Sequence, residues 1–290
     1  MHGRQRRITE KTEQEIEQEH KKAVKLQNAG VTVLAKIHAK DYSPEAFKLS
    51  SVMAKLNPDF YTIWNYRKEY LVLLLDNNEE SEENKLKCLN EELLLTEEII
   101  RNRDPKCYPV WHHRRWLFQK RPSLLTEREI GLCEKMLQAD QRNFHCWNHW
   151  MLVTRLMEVP LNSLLAFTMN RINENSSNYS AWHFRGELLH SMLIHSNDGE
   201  QSIKTIRDEL ELNLNALYTE CDDQSSWYYM RTLFYIAIEL TRKGIIEKDV
   251  TSGLFSTRLN ELSELMEIAP DCVYGNVFIS ELKEMSLEIA

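Results

Sequence analysis

Aromatic residues, three of them tyrosines with a hydroxyl to donate, recur in this sequence at one place, three residues before a tryptophan. The segments NPDFYTIW, PKCYPVW, QRNFHCW, SNYSAW and DQSSW end on Trp64, Trp111, Trp147, Trp182 and Trp227. Four of them carry the aromatic at −3: Tyr61, Tyr108, Phe144 and Tyr179. The residues just ahead are Pro, Asn, Ser or Asp, which form turns and helix N-caps. Each aromatic therefore falls at a helix start, where backbone N–H groups point outward. When equivalent turns stack side by side, residues from neighbouring repeats converge on one ligand or partner.

The elements that must hold these turns follow from the spacing. The tryptophans lie 47, 36, 35 and 45 residues apart, the range of stacked helical hairpins. With 8 Gly and 7 Pro in 290 residues, turn signals are few, which favours an all-α chain. The fold class expected is an α-α superhelix, a right-handed solenoid of stacked helical hairpins. One helix is expected from Thr9 to about Ala39, with Ser43 capping the next and Pro44 at its first position. The organisation expected is an N-terminal helix over 1–43, then repeats at 44–78, 91–125, 127–161, 162–196 and 207–241. A degenerate terminal hairpin follows at 248–290, the whole forming one solenoid domain. The acidic run 76–84, DNNEESEEN, reads as a solvated loop.

Within a hairpin the Trp is large enough to fill the gap between its two helices and the next hairpin. Arg67, Arg114 and Arg185 stand three residues after their Trp, one turn on along the same face. They are placed to stack on the Trp or to reach nearby carbonyls. Both positions read as packing.

Several function classes fall away. No apolar run reaches 18 residues, so no membrane span is expected. The charged start MHGRQRRITEKTEQE does not resemble a signal peptide, and MSLEIA has no Cys four from the end for prenylation. A formal charge of −8 gives no argument for nucleic acid, which would want a basic stripe. Six scattered cysteines without a CxxC pair read as reduced thiols of a cytoplasmic protein, mostly small core residues. No closed zinc site, HExxH or P-loop is present.

A helical-hairpin repeat carrying Tyr/Phe-x-x-Trp-x-x-Arg resembles the α subunit of the protein prenyltransferases, over roughly residues 44–241. A tetratricopeptide array would place Leu-Gly at +3 and +4, which no copy does. The opening MHGR and the segments NPDFYTIWNYR, NSSNYSAWHFR and DQSSWYYMR look like the type that prenylates Rab GTPases. That resemblance implies a geranylgeranyltransferase heterodimer, inactive without a β subunit that holds the catalytic zinc. Its substrates would be geranylgeranyl diphosphate and a Rab GTPase presented by the Rab escort protein. The thiolate of a C-terminal cysteine would attack C1 as diphosphate leaves.

The family's diphosphate donors, carried over by position, fall on Lys106 and Tyr108 before Trp111 and on His145 before Trp147. Lys offers a compact cation, Tyr a hydroxyl and His an N–H donor. Arg142 stands in the third repeat where Lys106 stands in the second and joins them as a weaker diphosphate contact. His112 and His113 lie within the helix and read as packing or interface residues. His2 is a further group that could meet the β-subunit zinc. The frame departs from its pattern at Phe144, Trp150, Gln224 and Met230. Two other readings stay open: the shared α subunit of farnesyltransferase and type I geranylgeranyltransferase, and a non-catalytic repeat scaffold.

Overall fold

A computed structural model of the chain describes residues 12–288, so His2 lies outside the described residues. Among the described residues there are thirteen α-helices, one short 3-10 turn and no strand. They are α1 (Glu13–His38), α2 (Pro44–Leu56), α3 (Tyr61–Asp76), α4 (Glu82–Asn102), α5 (Tyr108–Lys120), α6 (Glu127–Ala139) and α7 (Phe144–Leu156). Then follow α8 (Leu161–Glu174), α9 (Tyr179–Leu193), α10 (Gly199–Thr219), α11 (Gln224–Arg242), α12 (Lys248–Ile268) and α13 (Val273–Leu287). The chain divides into two compact units. One holds the residues up to 136 together with 145–153; the other holds 137–144 and the residues from 154 on.

In the first unit α1 packs on α2, and α2–α3 and α4–α5 are antiparallel pairs with α3 lying beside α5. In the second, α8–α9, α10–α11 and α12–α13 are the pairs, with α11 between α9 and α13. Ser43 caps α2 by accepting the Ala46 N–H, and Pro44 opens it, as the sequence predicts. The acidic run behaves differently from a simple loop. Ser81 accepts the Asn84 N–H, and Glu82 and Glu83 become the first turn of α4. Carboxylates there face the positive end of the helix dipole, which favours helix over loop.

The recurring tryptophans are buried, between 0% and 3% exposed, and four of them fix a turn as well as filling space. The indole N–H of Trp64, Trp111, Trp182 and Trp227 donates to the carbonyl six residues earlier: Pro58, Pro105, Ser176 and Cys221, at 2.7–2.9 Å. In the last hairpin Asn276 stands in the Trp position, and its amide donates to Pro270 O at 3.1 Å. A smaller side chain thus keeps the same bond. A second device shapes these turns. Asp104, Asp140 and Asn175 each accept, through Oδ1, the N–H two residues on. This Asx turn lets a short polar side chain replace a missing backbone partner.

The arginines at +3 do not stack on the Trp. Each is buried and ties three helices. Arg67 on α3 donates to Phe47 O and Ser50 Oγ on α2, and to both carboxylate oxygens of Glu92 on α4. Arg114 repeats this with Leu93 O, Thr96 and Glu129, and Arg185 with Leu165 O, Thr168 and Glu209. The carboxylate then takes a further donor from the next helix: His113 to Glu92, His149 to Glu129, Tyr229 to Glu209, each at 2.6 Å. Bidentate pairing and the added donor offset the desolvation of two buried charges. Burial alone would raise Glu92; the Arg67 charge and the His113 and Arg67 hydrogen bonds instead hold it at about 2.

Where the sequence lacks the arginine, the rest of the set is apolar as well. Trp150 stands at +3 in the third repeat, buried edge-on against Trp147. The positions that would carry the carboxylate and its second donor in the next repeat are Leu164 and Phe184. A buried carboxylate without its cation is among the costliest groups a core can hold. In the fifth repeat Met230 fills the buried +3 position, and Arg231, one residue on, pairs at the surface with Glu281 of α13.

Candidate functional site

The aromatics at −3 are the first residues of their helices and lie outside the core. Tyr61, Tyr108, Phe144 and Tyr179 remain 44% to 60% exposed, against near-complete burial of the tryptophans three residues on. The Trp bond to the −6 carbonyl and the Asx turn together fix where the −5 to −2 side chains leave the backbone. Surface aromatics that the scaffold holds in place read as a contact surface rather than as packing.

Three of the four residues singled out by sequence belong to one unit. Tyr108 opens α5, and His145 is the second residue of α7, buried at 4% exposure. Their ring centroids lie 4.0 Å apart at 87°, an edge-to-face pair. Lys106 is exposed in the turn before α5, its backbone N–H tied to Asp104 Oδ1 at 2.8 Å. Burial pushes the His145 imidazole below its ordinary value. The Arg115 charge adds to this, Asp104 opposes it, and Lys106 adds again. His145 is therefore neutral near pH 7, with cations around it.

Arg142 belongs to the other unit. Its backbone N–H goes to Asp140 Oδ1 at 3.0 Å, and its guanidinium donates to Ser177 O at 2.9 Å, in the turn of the following repeat. His113 is buried against Glu92, whereas His112 is exposed. Burial, then the charges of Lys68 and Arg115, lower the His112 pKa.

Arg115 is the residue that sequence reasoning missed. It is half-buried on α5, seven residues and so two turns from Tyr108, on the same helix face. Its charge acts on His112, His145 and His149. The signal available was its register. Lys68, Arg115 and Arg231 are all cations four residues after a recurring Trp. Lys68, half-buried, sits with its ammonium 5.7 Å from the Trp116 ring, and burial lowers its pKa.

In the second unit the same face forms a small slot of about 140 Å³ between α9 and α11, lined by Tyr179, His183, Tyr228, Arg231 and Tyr235. A larger cavity of about 670 Å³ lies among α2, α3 and α4, over the Arg67–Glu92 pair and away from Tyr108 and His145. The Tyr108–His145 surface, with a hydroxyl, a neutral imidazole and two nearby cations, has the chemistry to receive an oxyanion. The neighbouring Cys107 thiol is buried and pushed up to about 12, chiefly by that burial.

Tandem helix pairs in which a buried Trp recurs, four copies of it bonded to the turn before their helix, define a helical-hairpin repeat protein. The protein prenyltransferase alpha subunit repeat matches residues 43–74, 89–121, 126–157 and 161–192. The chain is 38% identical over 238 residues to the geranylgeranyl transferase type-2 subunit alpha of Rattus norvegicus, covering 80% of this chain and 41% of that protein. It is 30% identical over 272 residues to the protein of the same name from Saccharomyces cerevisiae, covering 90% of this chain and 80% of the other. Its fold is similar to a chain of the Candida albicans protein geranylgeranyltransferase-I complexed with GGPP, with a TM-score of 0.60 at 20% identity over 88% of each chain. The chain belongs to the protein prenyltransferase α-subunit family. It spans about 41% of the length of the mammalian relatives it matches.

Proposed function

We propose that this chain is the α subunit of a heterodimeric protein geranylgeranyltransferase that modifies C-terminal cysteines of Rab GTPases. What supports the reading is similarity to type-2 α subunits across 90% of the chain, together with the Tyr108–His145 surface. Geranylgeranyl diphosphate is the donor, and the Rab protein arrives with its escort protein. As the acceptor sulfur attacks C1, charge gathers on the departing diphosphate, and donors fixed in advance stabilise it. Lys106 supplies a cation from an exposed turn, Tyr108 a hydroxyl, and His145 a neutral imidazole that supports the Tyr108 ring. Arg115 raises the local positive potential, and Arg142 anchors the adjoining turn.

The zinc belongs to the β subunit in this reading; when bound it lowers the pKa of the acceptor thiol. The repeats extend beyond the four matched stretches, as a fifth over 207–241 and a terminal hairpin over 248–290. The shared bonds of Trp227 and Asn276 support that extension. The chain works in the cytoplasm; among the described residues no helix is long and apolar enough to cross a membrane.

A pull-down from cells tests the assignment. The expected result is a copurifying β subunit whose activity on Rab requires the escort protein. Escort-independent transfer to small CaaX peptides would instead assign the chain to the farnesyl and type I enzymes.

A further inference from the structure

Two thiols and a carboxylate that lie far apart in sequence meet in the second unit. Cys221 and Asp222 form the turn before α11, and Cys272 is the N-cap of α13, 51 positions after Cys221. The Sγ atoms of Cys221 and Cys272 and a carboxylate oxygen of Asp222 all lie within 4.8 Å of one another. Around a tetrahedral zinc, with Zn–S near ~2.3 Å and Zn–O near ~2.0–2.2 Å, ligand atoms stand roughly 3.5–4 Å apart. Small side-chain rotations close the difference.

The surroundings suit a thiolate. Cys272 Sγ accepts the Gly275 N–H at 3.4 Å at the start of a 15-residue helix, where the dipole favours negative charge. The backbone beneath is held in place. Cys221 O takes the Trp227 indole N–H at 2.7 Å and the Cys272 thiol at 3.1 Å. Cys272 is buried, Cys221 half-buried and Asp222 exposed, so the fourth ligand position faces water. Burial, then Cys272, then the Asp222 charge push the Cys221 thiol up to about 11.

We propose that Cys221, Asp222 and Cys272 form a binding site for a soft divalent cation of the zinc type, clipping the α12–α13 hairpin to the turn before α11. On binding, each thiol gives its proton to solvent, and water completes the coordination. The site is separate from the oxyanion surface in the first unit and does not depend on the enzymatic reading. A related cluster, Asp59, Asp104 and Cys107, has one sulfur and two oxygens. Its thiol already donates to Asp59 at 3.4 Å. A soft cation prefers two thiolates to one, so that cluster is an internal control.

The test uses the full chain, reduced, treated with chelator and then titrated with zinc. A pulse of iodoacetamide and peptide mapping then report each of the six cysteines separately. One equivalent of zinc is expected to slow alkylation of Cys221 and Cys272 together while leaving Cys88 and Cys107 unchanged. Asp222→Asn is expected to weaken that protection, and Cys221→Ser to abolish it at Cys272. The melting temperature should rise with zinc in the native chain and not in Cys221→Ser. Because the first comparison needs no variant, a misfolded substitution leaves the test intact. Equal alkylation of Cys221 with and without zinc would overturn the proposal. So would protection undiminished in Asp222→Asn.

Discussion

In the proposed function, Lys106, Tyr108 and His145 divide the work of an anion site by residue type. Lys106 is a point charge on a flexible stem in an exposed turn. Tyr108 is a rigid hydroxyl donor held edge-on against a buried ring. His145 is kept neutral by burial and by the nearby Arg115 charge, so it supports the tyrosine without itself supplying charge. Removing a donor that meets charge developing in the transition state costs up to ~10²-fold in turnover. Lys106→Ala, assayed with the β subunit, is therefore expected to lose about that much kcat with a smaller change in KM. Tyr108→Phe keeps the ring and loses only the hydroxyl, so a loss of about tenfold is expected. Steady-state kinetics of the two variants checks both. The three positions come from the family resemblance, carried over by their offset from Trp111 and Trp147; the structure adds the edge-to-face pairing of Tyr108 and His145. Arg115 was not legible in the sequence, which shows a basic run HHRR but not which of its members faces the imidazole. Cys221 and Cys272 were not legible either, being 51 positions apart with no spacing motif.

Between elements, what holds the repeats in register is a buried Arg–Glu pair closed by a His or Tyr from the next helix. Arg67 and Glu92 have 2% and 1% of their side-chain surface exposed. Removing one partner of such a pair strands a charge and costs about 3–5 kcal/mol. Arg67→Ala should destabilise by that amount in denaturant unfolding. A triple change of Arg67, Glu92 and His113 to apolar residues should recover most of it.

Acid should act on the same elements. His113 and His149 lie below their ordinary pKa, mainly through burial, and Glu92 and Glu129 are held at about 2. In each case the unfolded chain binds the proton more tightly. Stability is therefore full above pH 6.5, falls as the histidines are protonated in the unfolded chain, and falls more steeply below 4.5. Melting temperature against pH reads this directly; a midpoint flat from pH 7 to 4 would contradict it. The sequence made the Arg and Trp legible as packing, but the Glu partners lie 25, 15 and 24 residues away on helices whose facing sides only the fold defines.

For the whole molecule, burial separates the scaffold of each unit from its exposed aromatics and cations. The tryptophans, arginines and buried carboxylates form the interior of both units. The helix-start aromatics and the cations at +4 are left outside it. A surface of this composition is suited to a partner, and an obligate heterodimer buries more than ~2,000 Å². The helices and their order were legible from the Trp spacing and the turn residues. The division into two units was not, because it depends on which packed faces are shared.

In the proposed function this chain supplies donors to a reaction it cannot perform alone. The most direct measurement is geranylgeranyl transfer to a Rab protein with its escort protein. It would compare the chain alone, the chain with its β subunit, and the β complex carrying Lys106→Ala. No transfer by the chain alone is predicted, with full transfer by the complex. The Lys106→Ala complex should lose about 10²-fold in rate while the β subunit stays bound. Transfer by the chain alone, or an unchanged rate in the Lys106→Ala complex, would contradict the account.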